Sequence, residues 1–372
     1  MLWRASKTKG RLVSLPNRGR ALVVSDLHGH VGDWRAFCDA SGILERLRGG
    51  DDVWLLITGD VPDVTRHRSV DPSVPIDGDV TILDEIMRLK RELGARGERV
   101  VYLEGNHDFH LARLAREIMR YHAGQQGKRM PAEDVLPDFS DAEREQYFDY
   151  YRETYGDAVF VNNIGPYDMI LRVRPDHVRF IDSCPVLAAA EHAGVVVTHA
   201  GPPRMGRRRA AALKKEIDQA DRSQLRRAPP EDYYESVYHQ LLNNRFRNGD
   251  YDLEDLGAFL EVFKSSTLVA GHTPHPYLVD FELQQPLAEC NFFDGVGVIG
   301  GKQLVLCTSF GAFHPRLKRY LEFDLGQRYE SAGALLASEG VVCPVYPDPD
   351  SVPEAEELPG IALLGEAGQG RG

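Results

Sequence analysis

Five short polar clusters hold most of the side chains in this chain that could bind a cation or move a proton. They are Asp26-Leu27-His28, Gly59-Asp60, Gly105-Asn106-His107-Asp108, His199-Ala200-Gly201 and Gly271-His272. Carboxylate, imidazole and the amide oxygen of asparagine make a mixed oxygen and nitrogen donor set. Such a set suits Mn²⁺, Fe or Zn²⁺ better than a soft thiolate site would. No cysteine lies in any cluster. One polar turn after a buried segment is ordinary. Five of them, with metal-ligand residue types at nearly every one, are not expected from packing alone.

Each cluster ends an apolar run, at residues 21–24, 52–57, 99–103, 194–198 and 267–270. Runs this short and this apolar read as buried strands. Over the first 108 residues the pattern is strand, polar tip, helix, three times over, with helices expected at 31–47 (broken near Gly42) and 82–95. An α/β sheet presents ligands in this way, at the carboxyl ends of its strands. Gly105 allows a sharp turn, so that three polar side chains leave one strand tip together. Residues 62–80 hold three prolines and read as a loop. The stretch 110–156 reads as mainly helical, with loops near 124–127 and 131–137. Residues 158–192 read as strands, with turns at Gly165-Pro166 and Pro175-Asp176. A charged helical stretch covers 204–262 and opens on Arg204, Arg207, Arg208 and Arg209. Further β-rich runs lie at 296–299, 303–308 and 319–325. The tail after about 345 is rich in Pro, Glu and Gly and is expected outside the packed core.

The 372 residues, 42% hydrophobic, suffice for one large domain or two ordinary ones. Lys and Arg number 44 against 56 Asp and Glu, a net charge of −12, which makes a poor general binder of nucleic acid or anionic membrane. The five cysteines are scattered, with no CxxC pair, as expected of reduced thiols in a reducing, cytoplasmic setting. The basic first twenty residues have no apolar core, so no secretory signal is expected, and no run approaches the roughly 20 apolar residues of a membrane helix.

Taken in order, the clusters resemble the calcineurin-like metallophosphoesterases, whose signature is D-x-H, G-D, G-N-H-[DE], a later H, and G-H-[TQ]. The matching blocks are Asp26-Leu27-His28-Gly29, Gly59-Asp60-Val61-Pro62-Asp63, Gly105-Asn106-His107-Asp108, Thr198-His199-Ala200-Gly201 and Gly271-His272-Thr273. The resemblance implies an α/β fold, a four-layer αββα sandwich of two mixed sheets flanked by helices. It places the domain at 21–325, after an N-terminal arm or leading strand (1–20) and before a partly irregular extension (326–372). Helical insertions would lie at about 110–156 and 202–262. It implies two divalent metal ions, most simply Mn²⁺ or Fe, with Zn²⁺ as an alternative. Asp26 and His28 would hold the first, Asp60 would bridge, and Asn106, His199 and His272 would hold the second. A shared carboxylate offsets the repulsion between two cations, and the pair acidifies a water for in-line attack on phosphorus. His107 would protonate the leaving oxygen and Asp63 would orient it. Asp108 has no role beyond holding the turn.

Two departures bear on the substrate. Phosphoprotein phosphatases place a phosphate-gripping Arg after the second Asp of G-D-x-x-D-R-G, where this chain has Val64. Arg66, Arg68 or Arg204 would have to substitute. Nuclease-like members carry G-H-x-H, whereas this chain reads Gly271-His272-Thr273-Pro274-His275. The expected activity is therefore hydrolysis of phosphomonoesters, in small molecules or phosphoproteins. A dinucleoside polyphosphate hydrolase is the alternative, with a nucleotide pocket drawn from residues 204–209 and Tyr233, Tyr234 and Tyr238. Surface packing of helices explains those residues equally well. His30, His67, His110 and His275 are expected outside the ligand set. A binding module that had lost catalysis would lack ligands or His107, and here every position is filled.

Overall fold

The computed structural model describes residues 11–127, 140–157, 172–219, 234–280, 282–283, 285–312 and 314–348. Its strands are β1 (Leu12–Ser14), β2 (Arg20–Val24), β3 (Val53–Ile57), β4 (Val100–Tyr102), β5 (Leu187–Ala190), β6 (Val195–Thr198), β7 (Thr267–Ala270), β8 (Val279–Asp280), β9 (Gln285–Pro286), β10 (Cys290–Phe293), β11 (Val296–Ile299), β12 (Gln303–Val305), β13 (Arg319–Asp324) and β14 (Val342–Pro344). They form a seven-stranded sheet in the order β1-β5-β6-β7-β12-β11-β10 and a five-stranded sheet in the order β14-β13-β2-β3-β4; β8 and β9 pair separately. The strands that carry the polar clusters are parallel neighbours, β2-β3-β4 in one sheet and β6-β7 in the other.

Alternation along each strand sorts side chains to two faces. In β2, Ala21 and Val23 face the other sheet, where they share a core with Val195, Val197, Val269 and Leu304. Leu22 and Val24 face outward and pack with Trp34 and Phe37 of α1 (Val31–Ser41) and with Ile82 and Ile86. The outer face of the larger sheet, including Val196 and Leu268, packs against Leu256 and Phe259. The result is helix, sheet, sheet, helix, the four layers expected. Each fully buried Leu, Val or Phe in these layers contributes about 1.5–3 kcal/mol.

α1 starts at His30, whose Nδ1 accepts from the Asp33 N–H at 3.0 Å, and stops at Gly42, which is left-handed at φ 60°. The chain restarts as α2 (Ile43–Gly49), so the break expected near Gly42 is present. The proline-rich loop contains one turn of helix, α3 (Thr65–Arg68), and α4 (Gly78–Glu92) begins earlier than expected. Two long helices, α5 (Asn106–Gln125) and α6 (Asp141–Tyr155), fill the first helical stretch; the expected loop at 131–137 lies outside the described residues.

One reading is corrected. The expected turn at Pro175-Asp176 is the start of a helix, α7 (Pro175–Ser183). Proline at the first helical position loses no hydrogen bond there, and Val178 and Ile181 supply the buried face. The turn expected at Gly165-Pro166 lies outside the described residues. The second charged stretch contains α8 (Arg207–Gln219), α9 (Val237–Asn243) and α10 (Leu253–Val262). At the chain's start, β1 pairs with β5. Past residue 325, α11 (Ala332–Leu336) buries Leu335, and β14 pairs with β13, with Val345 fully buried behind it. The core thus extends about twenty residues past the boundary expected at 325. Among the described residues no helix is long and apolar enough to cross a membrane.

Candidate metal centre

All five clusters meet where the two sheets abut. Asp26 follows β2, Asp60 follows β3, Asn106 follows β4, His199 follows β6 and His272 follows β7. Among the described residues eight non-glycines have positive φ, and five are in the clusters or beside them: Asp26 (49°), His28 (40°), Asp60 (53°), Asp63 (80°) and His272 (63°). Left-handed backbone costs a non-glycine residue free energy and persists only where the surroundings enforce it. Here it turns each side chain off its strand axis and into a common space. Gly105 must be glycine for a different reason: a Cβ there would collide with the Asp60 carboxylate.

The decisive geometry surrounds His199 Nε2. Its other nitrogen, Nδ1, lies 2.7 Å from the Thr58 carbonyl and so carries the proton that it donates. The lone pair is then on Nε2. That atom faces Asn106 Oδ1 at 2.9 Å, His272 Nδ1 at 3.1 Å and Asp60 Oδ2 at 3.4 Å. His272 Nε2 in turn lies 3.0 Å from the Asn243 carbonyl, which leaves a lone pair on its Nδ1 too. With both rings neutral, four acceptors therefore converge with no hydrogen atom between them, those of His199, His272 and Asp60 buried and that of Asn106 half-buried. Positive charge fits between them, as a proton on His199 Nε2 or as a metal cation. Anchoring the far imidazole nitrogen to a backbone carbonyl is also how ligand histidines are oriented.

The electrostatics agree. Burial lowers the His199 imidazole, but Asp60, with Asp26 and the Thr58 carbonyl, more than reverses this and pushes it up to about 9. Burial raises Asp60, yet His199 and then His107 hold it well below the usual carboxylate range. His272 is held well below its ordinary value by burial and by Arg245, in keeping with a neutral ring. Burial, opposed by His199, raises Asp26 to about 6. The centre demands positive charge beside Asp60, and a divalent ion supplies it better than one imidazolium.

Two overlapping groups of three donors fit a metal, Asp60 with His199 and His272, and Asp60 with His28 and His107. His28 Nδ1 lies 3.0 Å from the Pro62 carbonyl, which leaves Nε2 directed at Asp60 Oδ2, 3.8 Å away. Both Asp26 oxygens accept from the His272 N–H, at 2.9 and 3.0 Å. His107 stands apart in one respect: its Nδ1 lies 3.2 Å from Asp63 Oδ2, and its Nε2 is 3.4 Å from Arg66 Nη2. Asp63 also takes Arg66 Nε at 3.2 Å and the Thr65 hydroxyl. Asp108 does more than hold a turn. Its Oδ2 accepts from the N–H groups of Asp60 and Gly105, both at 2.9 Å, and its Oδ1 from the Tyr102 hydroxyl at 2.6 Å. It ties the third cluster to the second.

Above these donors lies an open cleft of about 270 Å³. Arg66 and Arg245 line it with Asp26, Asp60, His28, His107 and His272, and Pro274, Pro276, Tyr277 and Phe310 form an apolar wall. Arg204 is not among the lining residues. Its guanidinium donates to the carbonyls of Asp250 (2.8 Å) and Gly249 (3.0 Å), so the structure does not bring this expected substrate ligand to the cleft. Arg68 donates to the Val74 carbonyl. Arg245, which the sequence reading missed, occupies the place instead. It donates to the His272 carbonyl at 3.2 Å and stacks 5.2 Å from the Tyr277 ring. Of the tyrosines considered for a nucleotide pocket, Tyr238 is buried with its hydroxyl on Glu104, Tyr234 is exposed, and Tyr233 lies outside the described residues. His30 and His67 stack behind the cleft at 4.6 Å, and His275 packs on Phe292.

The model of the calcineurin-like phosphoesterases matches residues 19–276, more than half of the chain and all five clusters. The chain belongs to that family. It is a metal-dependent phosphoric ester hydrolase, and the shared Asp60 and the histidines around it are its candidate centre. The sequence matches no curated protein. Among solved structures, a cold-active protein-tyrosine phosphatase of a psychrophilic Shewanella species is 13% identical, over 85% of this chain and 78% of that one, at a TM-score of 0.42. A protein proposed to be a diadenosine tetraphosphatase is 13% identical, over 84% and 91%, at 0.41. A metallophosphoesterase from Sphaerobacter thermophilus is 12% identical, over 82% and 84%, at 0.35.

Proposed function

We propose that this family member hydrolyses phosphomonoesters at a two-metal centre. The observation that supports this most strongly is the convergence of four acceptors at His199 Nε2, beside a cleft walled by two arginines. Asp60 would be shared by both ions, Asn106, His199 and His272 would complete one site, and Asp26 and His28 the other. Divalent ions there, Mn²⁺ or Fe with Zn²⁺ as the further choice of this donor set, would polarise phosphoryl oxygens and lower the pKa of water.

The remaining steps fall to side chains. Arg66 and Arg245 flank the cleft and hold the phosphoryl oxygens through charge-assisted hydrogen bonds. His107 gives its Nε2 proton to the leaving oxygen. Asp63, 3.2 Å from Nδ1, holds the ring in place and stabilises the imidazolium before transfer. A cleft of about 270 Å³ is small for a ligand pocket and suits one phosphoryl group with a compact substituent, on a small molecule or a protein side chain. The dinucleoside reading drew its nucleotide pocket from residues 204–209 and Tyr233, Tyr234 and Tyr238; of these, Arg204, Tyr234 and Tyr238 do not line the cleft.

The test is turnover of an aryl phosphate by Mn²⁺-loaded protein. Hydrolysis abolished by a chelator is expected, and His107→Ala should lose about 10²–10⁴-fold in kcat on alkyl phosphates while retaining metal. Metal-loaded protein that turns over no phosphate ester would contradict the proposal.

A further inference from the structure

Behind the Arg66 side of the cleft lies a buried polar hub to which no role has yet been given. Asp33, in the first turn of α1, is fully buried. Its Oδ2 accepts from Lys318 Nζ at 2.6 Å and from Ser309 Oγ at 2.5 Å, and its Oδ1 accepts from the Tyr346 hydroxyl at 2.6 Å. A buried carboxylate with a buried ammonium and two hydroxyls has its hydrogen-bonding needs met. The three partners come from stretches distant in the chain.

Ser309 passes this anchoring on. A hydroxyl has one hydrogen, and Ser309 directs it at Asp33. His67 Nε2, 3.1 Å from the same oxygen, must therefore be the donor, which fixes its tautomer. His67 sits in α3 next to Arg66. The residue after Ser309 is Phe310, whose N–H donates to the Asp26 carbonyl at 3.0 Å. The Phe310 ring packs edge-on with His28 (5.1 Å) and His67 (5.6 Å), and the Arg66 guanidinium lies over it at 5.7 Å. Two routes thus run from Asp33 to Arg66, one through His67 and the helix backbone, the other through the Phe310 ring.

We propose that Asp33 is a positioning residue for phosphate binding: through Ser309 it fixes α3 and the Phe310 ring, and so holds Arg66 over the cleft. This rests on the reading of Arg66 as a phosphate ligand. Arg66 is 47% exposed, and a long side chain in that setting loses much rotamer freedom when it binds. Holding it beforehand lowers that cost, so the hub acts on substrate and phosphate affinity.

The test uses Ser309→Ala, which removes the connecting hydroxyl and leaves Asp33 paired with Lys318. KM for p-nitrophenyl phosphate, Ki for inorganic phosphate and metal content are measured in the full-length Mn²⁺-loaded wild type, Ser309→Ala, Arg66→Ala and the double variant. Ser309→Ala is expected to raise KM and Ki about fivefold, the worth of one hydrogen bond, with metal content unchanged. In the Arg66→Ala background that effect should vanish. If Arg66→Ala raises KM and Ser309→Ala does not, the hub is overturned while the reading of Arg66 stands. An equal effect in both backgrounds also overturns it, since Ser309 would then act on the fold and not through Arg66. If Arg66→Ala leaves KM and Ki at wild-type values, the reading of Arg66 fails and this inference with it. Should Ser309→Ala fail to fold, Tyr346→Phe probes the same hub from its other end; coupling to Arg66 supports the proposal and its absence overturns it.

Discussion

Replacing Asp108 by alanine takes the acceptor from three buried donors at once: the N–H of Asp60, the N–H of Gly105 and the hydroxyl of Tyr102. Each buried donor left unpaired costs about 1–3 kcal/mol, so the gross penalty is about 3–9 kcal/mol. The space vacated by a carboxylate admits water, which recovers part of it. We expect a net loss of about 3–4 kcal/mol, a large share of the roughly 5–15 kcal/mol that holds a domain folded. The damage should reach the centre as well, because Asp60 is kept at φ 53° with its N–H bound to Asp108. Loss of such a supporting contact lowers metal affinity by about 10–100-fold. Urea unfolding gives the stability, and competition with a chromogenic chelator gives the affinity. A loss below about 1 kcal/mol, together with wild-type metal binding, would refute the reasoning.

Burial raises the Asp33 carboxyl, but Lys318, His30 and His67 together outweigh burial and hold it at about 2 against an ordinary 3.8. A depressed folded-state value means that the group's stabilisation is complete above about pH 4 and disappears as pH falls through about 2. Between pH 5 and pH 2, wild-type unfolding free energy should therefore fall by about 2 kcal/mol more than that of Asp33→Asn, measured by guanidinium titration. Parallel losses in both proteins would contradict the assignment. Arg245→Ala should raise KM for aryl phosphates by about 10–100-fold, since charge-assisted contacts are the strong ones. Arg204→Ala should stay within about twofold, and the reverse order in steady-state kinetics would restore Arg204 to the site.

The five clusters were legible because their chemistry is local. In each, an apolar run supplies the strand and the next few residues supply the ligand types, so Asp26, Asp60, Asn106, His199 and His272 can be read without a fold. Arg245 could not be read in that way. It lies 27 residues before His272, between α9 and α10, and only their packing turns it into the cleft; its one local signal is Asn243-Asn244-Arg245 at a helix end. Arg204 misled for the converse reason. It is three residues beyond Gly201 in sequence, but backbone carbonyls at 249 and 250 hold it away. Pro175-Asp176 has the composition of a turn, and the helix it starts is fixed by the burial of Val178 and Ile181 in a core, shared with α4 and α5, that the local sequence does not reveal. The Pro- and Glu-rich tail conceals Tyr346, whose bond to Asp33 spans 313 positions.

Metal content per chain tests the four-acceptor centre most directly. Wild-type protein loaded with Mn²⁺, desalted and analysed by inductively coupled plasma mass spectrometry should retain about two ions per chain. Asp60→Asn, which keeps the shape but removes the shared charge, should retain fewer than about one. Wild-type protein that retains no ion, or Asp60→Asn that retains as much as wild type, would contradict the assignment of Asp60 and the residues facing it as a two-metal centre.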